Sequence, residues 1–471
     1  MCARMVKLDT LDNIFEETCS QMKRSYIKPS GQDNAVVVVS NEKNKITNWA
    51  ARLFLPEGYP DSVSQDYLPY QIWDSLQAFC SSVAGILATQ EVLRVFGVGN
   101  INATPLAATI LWVLRDGCGH VGRILFAFTH GMYMDAYSKK WRMYADILND
   151  ASMCVEMALP GFGMCSFLPL CMSSLMKAIV GIAGVSTRIA MTQHHAIRGN
   201  FADVSSKDVS QETAVNFGAA VVSIVIISCF GTSLLLFLMM LVLHVTFNYC
   251  AVRAVCLKTL NNPRFLVIID KYLRRAKTLT PSVVNRSEAL NLHQIGRCML
   301  DLEMCGFKII MGASIHNVVR NLNAGSLIGL RDLYSAKPYL LAVDSERKTL
   351  YVYLKKSAAA DDVLCAYFHA VQLAFATCAI NPELPEFSKF QESLPPFTST
   401  CIIIQSKLST NQEQDAIGRL LVHSPSRSLC SYLNKLVSKD WPKLRASLEH
   451  SGWDLSKHLL EMGQWRILDE N

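Results

Sequence analysis

Apolar residues gather along this chain in long blocks rather than at the short periods of a soluble core. The longest block runs from Thr213 to Val252, forty residues without one Asp, Glu, Lys or Arg. About 20 apolar residues make one bilayer-crossing helix, so the block is long enough for two. Small and polar residues cluster at its middle, Ser228-Cys229-Phe230-Gly231-Thr232-Ser233. This predicts two helices joined by a tight turn: a membrane hairpin. The competing reading is an apolar hairpin inside a large soluble core, but buried soluble helices rarely run this far without charge.

Upstream, residues 1–50 are polar and weakly patterned apart from a strand-like run at Ala35 to Val39. They predict a mostly flexible arm with room for one hairpin. Pro56, Gly58, Pro60 and Pro69 then forbid regular helix. Tyr59, Tyr67, Tyr70 and Trp73 suit either a lipid–water boundary or an aromatic-rich loop. Helical patterning follows at about 70–96, 103–114 and 117–132, the last rich in glycine (Gly117, Gly119, Gly122). Glycines at such spacing let helices approach closely. After a polar break at 135–140, Arg142, Asp146, Asn149 and Asp150 share one helical face. Residues 157–176 are then uncharged apart from the bordering positions, but are broken by Pro160, Gly161, Gly163 and Pro169. Such interruptions are used by transporters and are equally found in interfacial helices. Gly181 and Gly184 make a second small-residue face.

From about Pro281 the pattern becomes that of an ordinary soluble chain. A helical connector spans 281–330, followed by a strand–turn–strand at about Tyr339–Val343 and Thr349–Leu354. An amphipathic helix, a strand around 398–408 and a helix that Pro442 can divide come next, and short strands end the chain near Leu468. The predicted fold class is mainly α: a multi-helix membrane-type domain at 51–280 containing an apolar helical hairpin, and a small α+β soluble domain at 331–471.

Composition supports a membrane part joined to a soluble part. The chain is 51% hydrophobic and 18% charged, against about 25% charged in soluble proteins. A net charge of +6 over 471 residues, with no aromatic-interleaved basic patch, gives no sign of nucleic acid as a partner. The sixteen cysteines are scattered without zinc spacing, as suits small apolar residues in a reducing environment or in lipid. No metal is expected, since His194 and His195 are adjacent and point in different directions on a helix. The N-terminus has no apolar core of a cleavable signal, and Asp9, Asp12, Glu16 and Glu17 argue against a transit peptide. An intracellular membrane is expected, its compartment open. Basic flanks on both sides of the hairpin predict an even number of crossings.

Charges inside apolar helices are costly, so they mark a candidate site. Asp74, Arg115, Asp116, Arg123, Asp146, Asp150, Arg188, Asp203 and Lys207 are the candidates for a polar cavity or ligand site; helix ends and structural pairing are the alternative. No GxSxG, P-loop, HExxH or paired-carboxylate motif is present, so an enzyme is the less favoured reading. Asp146-Ile-Leu-Asn-Asp150, with Asp116-Gly117 upstream, partly matches the aspartate motif of membrane phosphatidyl-alcohol transferases, but the first aspartate and the glycine before the DxxxD are missing.

Several stretches together resemble the root UVB sensitive family. They are LPEGYPDSVSQDYLPYQIWDSLQAF (55–79), LATQEVLRVFGVGNINATPLAATILWVLRDGCGHVGRILFAF (87–128), KKWRMYADILNDASMCVEM (139–157), VSTRIAMTQHHAIRGNFADVSSKDVSQETAVN (185–216) and YCAVRAVCLKTLNNPR (249–264). A weaker echo lies at 451–466. The resemblance implies a membrane-associated protein of eukaryotes without known catalytic activity. In plant members it implies links to seedling and root development, auxin transport and vitamin B6 homeostasis, and action in pairs of family members. Some plant members are plastid proteins, from which this N-terminus departs. The resemblance assigns no role to the candidate residues. Two functions follow as expectations. One is a carrier whose arginines hold an anionic substrate, a phosphorylated vitamer such as pyridoxal phosphate or a carboxylate. The other is a membrane-anchored adaptor that binds protein partners through residues 330–471. A homo- or hetero-oligomer of family members is the expected assembly, and no bound cofactor is predicted.

Overall fold

The computed structural model describes residues 12–19, 22–28, 37–40, 45–98, 104–231, 233–288, 305–316, 324–344, 346–381, 386–406 and 425–468, with 290 and 384. The chain divides into two compact units, residues 1–129 with 141–255, and residues 130–140 with 256–471.

In the first unit, the backbone of β1 (Asp12–Cys19), β2 (Met22–Lys28) and β3 (Val37–Ser40) makes an antiparallel sheet in that order. The valine run thus supplies β3, and its first two residues lie outside the described ones. A short helix α1 (Lys45–Phe54) precedes six long ones: α2 (Tyr67–Val95), α3 (Pro105–His130), α4 (Ser138–Ala158), α5 (Phe167–His195), α6 (Phe201–Phe230) and α7 (Leu234–Ala254).

Contacts fix their directions. Trp73 near the start of α2 meets Phe247 near the end of α7, ring centroids 5.8 Å apart, so these two are antiparallel. On α4, Arg142 reaches Asp74 and Asn149 reaches Ser81, so α4 runs with α2. Trp112 of α3 packs on Phe96 just after α2, and α3 returns from there. At the end of α5 the His195 carbonyl accepts the Ser64 N–H before α2. The six helices therefore run up and down. The chain enters and leaves this bundle at one end, and the α6–α7 turn sits at the other.

The predicted hairpin is present. Gly231 adopts φ +68°, a left-handed conformation that stops α6 at little cost for a glycine. Ser233 then caps α7, its Oγ accepting the Leu236 N–H at 3.4 Å. One expectation is corrected: the two helices expected at 103–114 and 117–132 are a single α3. Glycine weakens a helix interior by only about 1 kcal/mol, and here Gly119 and Gly122 are buried against Ser174, Leu175 and Ala178 of α5. Gly117 faces open space.

The bundle is inverted relative to a soluble one. Ile110, Ile124 and Phe128 of α3, Leu168 and Ile189 of α5, Phe217 and Ile224 of α6, and Leu235 and Val242 of α7 are exposed. Gln71, Gln77, Asp150, Glu156, Asp208, Ser223, His244 and Asn248 are buried. Apolar surface on this scale is not left to water. Among the described residues five helices are long and apolar enough to cross a membrane, and four of them, α2, α5, α6 and α7, belong to this bundle.

The second unit begins with β4 (Thr259–Asn261), α8 (Asn262–Arg275) and α9 (Pro281–Ser287). It continues through β5 (Lys308–Met311), α10 (Ala324–Leu333), β6 (Tyr339–Asp344), β7 (Thr349–Leu354) and α11 (Ala360–Ala379), then α12 (Glu386–Ser393), α13 (Pro395–Ser406), α14 (Arg427–His450) and β8 (Asp454–Leu459). Its main sheet has the order β5-β7-β6, with β5 parallel and β6 antiparallel to β7; β4 and β8 pair in parallel. Helix α11 is the fifth apolar candidate, but 94% of its most apolar stretch is buried. Its surface is spent on Phe265 of α8, stacked on Tyr367 at 5.6 Å, and on Trp441 of α14, 5.9 Å from Phe368. It is a core helix.

Three more expectations change here. The helical connector at 281–330 contains β5, which buries Ile309 and Met311 and exposes Lys308; residues 289, 291–304 and 317–323 lie outside the described ones. The strand expected around 398–408 is helix α13 up to Ser406, with 407 and 408 outside the described residues. Pro395 and Pro396 suit the first turn of a helix, where the missing N–H is no loss, and α13 buries Thr398 and Cys401. Helix α14 continues through Pro442 without division.

Buried charges in this unit are matched. Arg264, Lys139 and Glu288 are almost fully buried together, Arg264 Nε donating to Glu288 Oε2 at 3.1 Å and Lys139 Nζ lying 3.8 Å from it. Burial alone would raise the Glu288 carboxyl, but Arg264 and Lys139 hold it below its ordinary value.

Candidate functional site

Five helices of the bundle bring their polar side chains to one cavity of about 300 Å³. Helix α2 supplies Asp74, Gln77, Ser81 and Ser82; α4 supplies Arg142 and Asp146; α5 supplies Arg188; α6 supplies Glu212 and Asn216; α7 supplies His244. The sequence builds it by periodicity. Asp74, Gln77 and Ser81 recur at three- and four-residue spacing on α2, as do Arg142 and Asp146 on α4 and Glu212 and Asn216 on α6. Room comes from Gly181 and Gly184 of α5, where an added Cβ would meet nothing within 4 Å. These glycines line the cavity instead of closing a helix contact. Asp74 and Arg188 are each seven residues from the entry end of their helices, Gln77 ten and Ser81 fourteen. At 1.5 Å per residue the site spans depths of about 10–20 Å.

Both arginines are engaged. Arg142 donates to Asp74 Oδ1 at 2.8 Å, and its Nε stands 3.7 Å from Asp146 Oδ2. Arg188 Nε donates to Asp208 Oδ2 at 2.6 Å, and its other arm pairs with Glu212. Gln71 donates to the second oxygen of Asp208 at 3.1 Å. Ser82 donates to Asn216 at 2.5 Å. His244 Nδ1 bonds Asp150 Oδ1 at 2.7 Å, just behind the lining. Arg142 Nε, Asp146 Oδ2 and Asp150 Oδ2 are buried without a hydrogen-bond partner.

Of the residues singled out in the sequence, Asp74, Asp146 and Arg188 meet in this cavity, with Asp150 adjoining through His244. The others stand elsewhere. Arg115 approaches Glu156 at 4.0 Å and covers the Trp112 ring at 5.1 Å. Asp116 is half-buried and Arg123 is exposed on α3. Asp203 accepts the Glu57 N–H at 2.7 Å, and Lys207 donates to the Arg52 carbonyl at 2.5 Å, so both tie α1 and the loop after it to α6. The sequence reading left out Arg142, placed only on a helical face with Asp146, and also Glu212, Asn216 and His244 as site residues. His244 carried a signal: it is the one histidine inside the forty-residue uncharged block, and a polar group there must face inward.

A second cluster lies at the entry end. Asp66, His194 and His195 bring ligand atoms within 4.8 Å of one another, the spacing a metal ion would use. Adjacent histidines argued against this in the sequence; at the helix terminus both rings nonetheless reach Asp66. His194 Nε2 bonds Asp66 Oδ2 at 2.9 Å and His195 Nδ1 bonds Ser64 Oγ at 2.6 Å. These bonds compete for the lone pairs a metal would need. An open apolar groove of about 460 Å³, lined by Leu68, Ile72, Leu76 and Val215 among others, runs along α2 and α6.

Comparison with known proteins matches two family models. Residues 40–276 match the "Vitamin B6 photo-protection and homoeostasis domain", and residues 277–469 match "Root UVB sensitive protein, C-terminal". The chain is 46% identical over 256 residues to RUS family member 1 of Dictyostelium discoideum, covering 52% of this chain and 49% of that protein. It therefore spans about half of that relative. It is 33% identical over 342 residues to Protein root UVB sensitive 3 of Arabidopsis thaliana, covering 71% and 77%. With Protein root UVB sensitive 6 of the same plant it shares 25% over 442 residues, covering 92% and 81%. No solved structure matches the chain.

Proposed function

The chain belongs to the root UVB sensitive family, and from that premise we propose that its helical bundle is a membrane carrier for a small polar molecule in vitamin B6 homoeostasis. The observation that supports this most is the cavity itself. Charged groups at membrane depth cost about 2.5–3.5 kcal/mol each on insertion scales and persist where they pair or serve a ligand path. An anchor needs no such group, whereas here five helices direct charged and hydrogen-bonding side chains to one cavity. Its volume reaches the lower end of small-molecule pockets, about 300–1,000 Å³. Up-and-down helices around a central polar site suit the movement of a ligand between two aqueous sides.

Reconstitution of the full chain into sealed liposomes tests this, with uptake of labelled pyridoxal, pyridoxine and pyridoxamine as the readout. We expect flux above protein-free vesicles, and at least about a tenfold loss in Gly184→Leu, whose side chain would fill the cavity while every charged residue is kept. Folded wild-type protein that moves none of the three would refute the carrier.

A further inference from the structure

We propose that the bundle cavity selects an organic cation, a protonated amine on a small ring-sized body, over an anion. This deepens the carrier reading and rests on it, and it reverses what the sequence suggested, an anion held by arginines. Three observations carry it.

The first is a charge count. Asp74, Asp146 and Glu212 line the cavity with Arg142 and Arg188, while Asp208 and Asp150 stand one contact behind. Even with His244 protonated, five carboxylates face three cations. Such an excess in a low-dielectric site calls for compensation by a bound cation or by protons. The second is that neither guanidinium is free: each already bridges two carboxylates. An incoming phosphate or carboxylate would have to break those pairs and then face the same acids. The third is the polarity of what is left over. Two of the three buried polar atoms here that lack a hydrogen bond are carboxylate oxygens: Asp146 Oδ2, which lines the cavity with Arg142 Nε standing off at 3.7 Å, and Asp150 Oδ2, behind His244. Asp146 Oδ2 can take a donor from the cavity, and an ammonium carries three donors and no acceptor. The space, about 300 Å³, is some ten times a water's share of liquid volume. That is room for a ring with its substituents rather than for one bare ion.

The test is calorimetric titration of the detergent-solubilised full chain with benzylamine, benzyl alcohol and benzoate, three probes alike in shape and different in charge, followed by pyridoxamine and pyridoxal 5′-phosphate. We expect benzylamine to bind at least about tenfold more tightly than either other ring probe, and Asp146→Asn to remove about that preference. Because a buried substitution can disturb folding, the wild-type ranking of the three probes decides independently of the variant. Benzoate or the phosphorylated vitamer binding best would overturn the cation and leave a ligand cavity standing. Benzylamine binding with neither vitamer bound would support the cation and refute the vitamin B6 reading. No binding of any probe would overturn both.

Discussion

Arg142 stands between two carboxylates in the bundle, its side chain and that of Asp74 only 12% and 13% exposed. Removing it leaves two acids facing each other with no counter-charge. We expect Arg142→Met to destabilise the bundle by about 3–5 kcal/mol. Adding Asp74→Asn should recover part of that loss, with a coupling above about 1 kcal/mol in a double-mutant cycle read by denaturant titration in detergent. Additive effects would mean that the pair does not interact. A second residue reports on the other unit. His369 in α11 is fully buried; burial, aided by Lys337, pushes its imidazole down to about 3. Its Nδ1 meets the Tyr339 hydroxyl at 3.3 Å, while Nε2 has no partner. The unfolded chain, with an ordinary value near 6.5, binds the proton first. The stability that comes from keeping this ring neutral is thus complete above about pH 6.5 and is lost as pH falls toward 3. At pH 5 the loss is about 2 kcal/mol by linkage. His369→Gln should flatten the fall in stability between pH 7.5 and 5, and an unchanged slope would exclude this ring as its source.

At the level of elements, α3 and α5 are held by an absence of side chains. A Cβ at Gly122 would collide with Leu175, and one at Gly119 would lie 2.9 Å from Ser174 Oγ, which donates to the Arg115 carbonyl at 2.8 Å. Cys118 of α3 and Cys171 of α5 lie near enough beside them to interact. Mild oxidation should therefore join these two thiols, detectable by peptide mass spectrometry, and Gly122→Val should reduce that product at least about tenfold by forcing the helices apart. Undiminished cross-linking in the variant would mean that the glycines are not what sets the contact. The same glycines explain part of what could be read in advance. Long apolar blocks and the hairpin turn were legible because length and lack of charge suffice to define them. The break expected near Gly117 was not real, because packing against α5 outweighs glycine's local preference. Pro442 misled for the same reason: Val437, Trp441 and Leu444 are buried around it, and their burial exceeds the roughly 3 kcal/mol such a residue costs a helix. For the site, the cost of charge in apolar helices singled out Asp74, Asp146 and Arg188. Which helices would meet is a long-range fact, so Arg115, Asp116 and Arg123 on α3 could not be separated from them. The count of carboxylates against arginines emerged only once Asp208 and Glu212 faced Arg188.

The bundle as a whole makes a claim about sidedness. With α2 to α7 alternating in direction, the segments before α2, between α5 and α6, and after α7 share one end. That end carries Arg52, Arg198, Lys207 and Arg253. The opposite end holds the α6–α7 turn, whose nearest exposed thiol is Cys229. An excess of Lys and Arg marks the cytoplasmic side of a membrane helix bundle, so we expect the entry end there and Cys229 across the bilayer. Helix α3 was not among the helices apolar enough to cross by composition, because Arg115, Asp116 and Arg123 interrupt it. From its length of 26 residues and its exposed Ile110, Ile124 and Phe128 we expect it to lie in lipid with the others. With sixteen cysteines in the chain, sidedness is best read by mapping each labelled peptide. An impermeant maleimide added to sealed, right-side-out vesicles should modify Cys229. It should reach a thiol introduced by Gly199→Cys, in the loop between α5 and α6, only after the vesicles are opened. Reversal of both would invert the orientation and keep the crossings. Modification of both positions from the same side would be incompatible with α6 and α7 crossing the bilayer, and the cavity between the helices would then open to water on one side only, which a carrier cannot use.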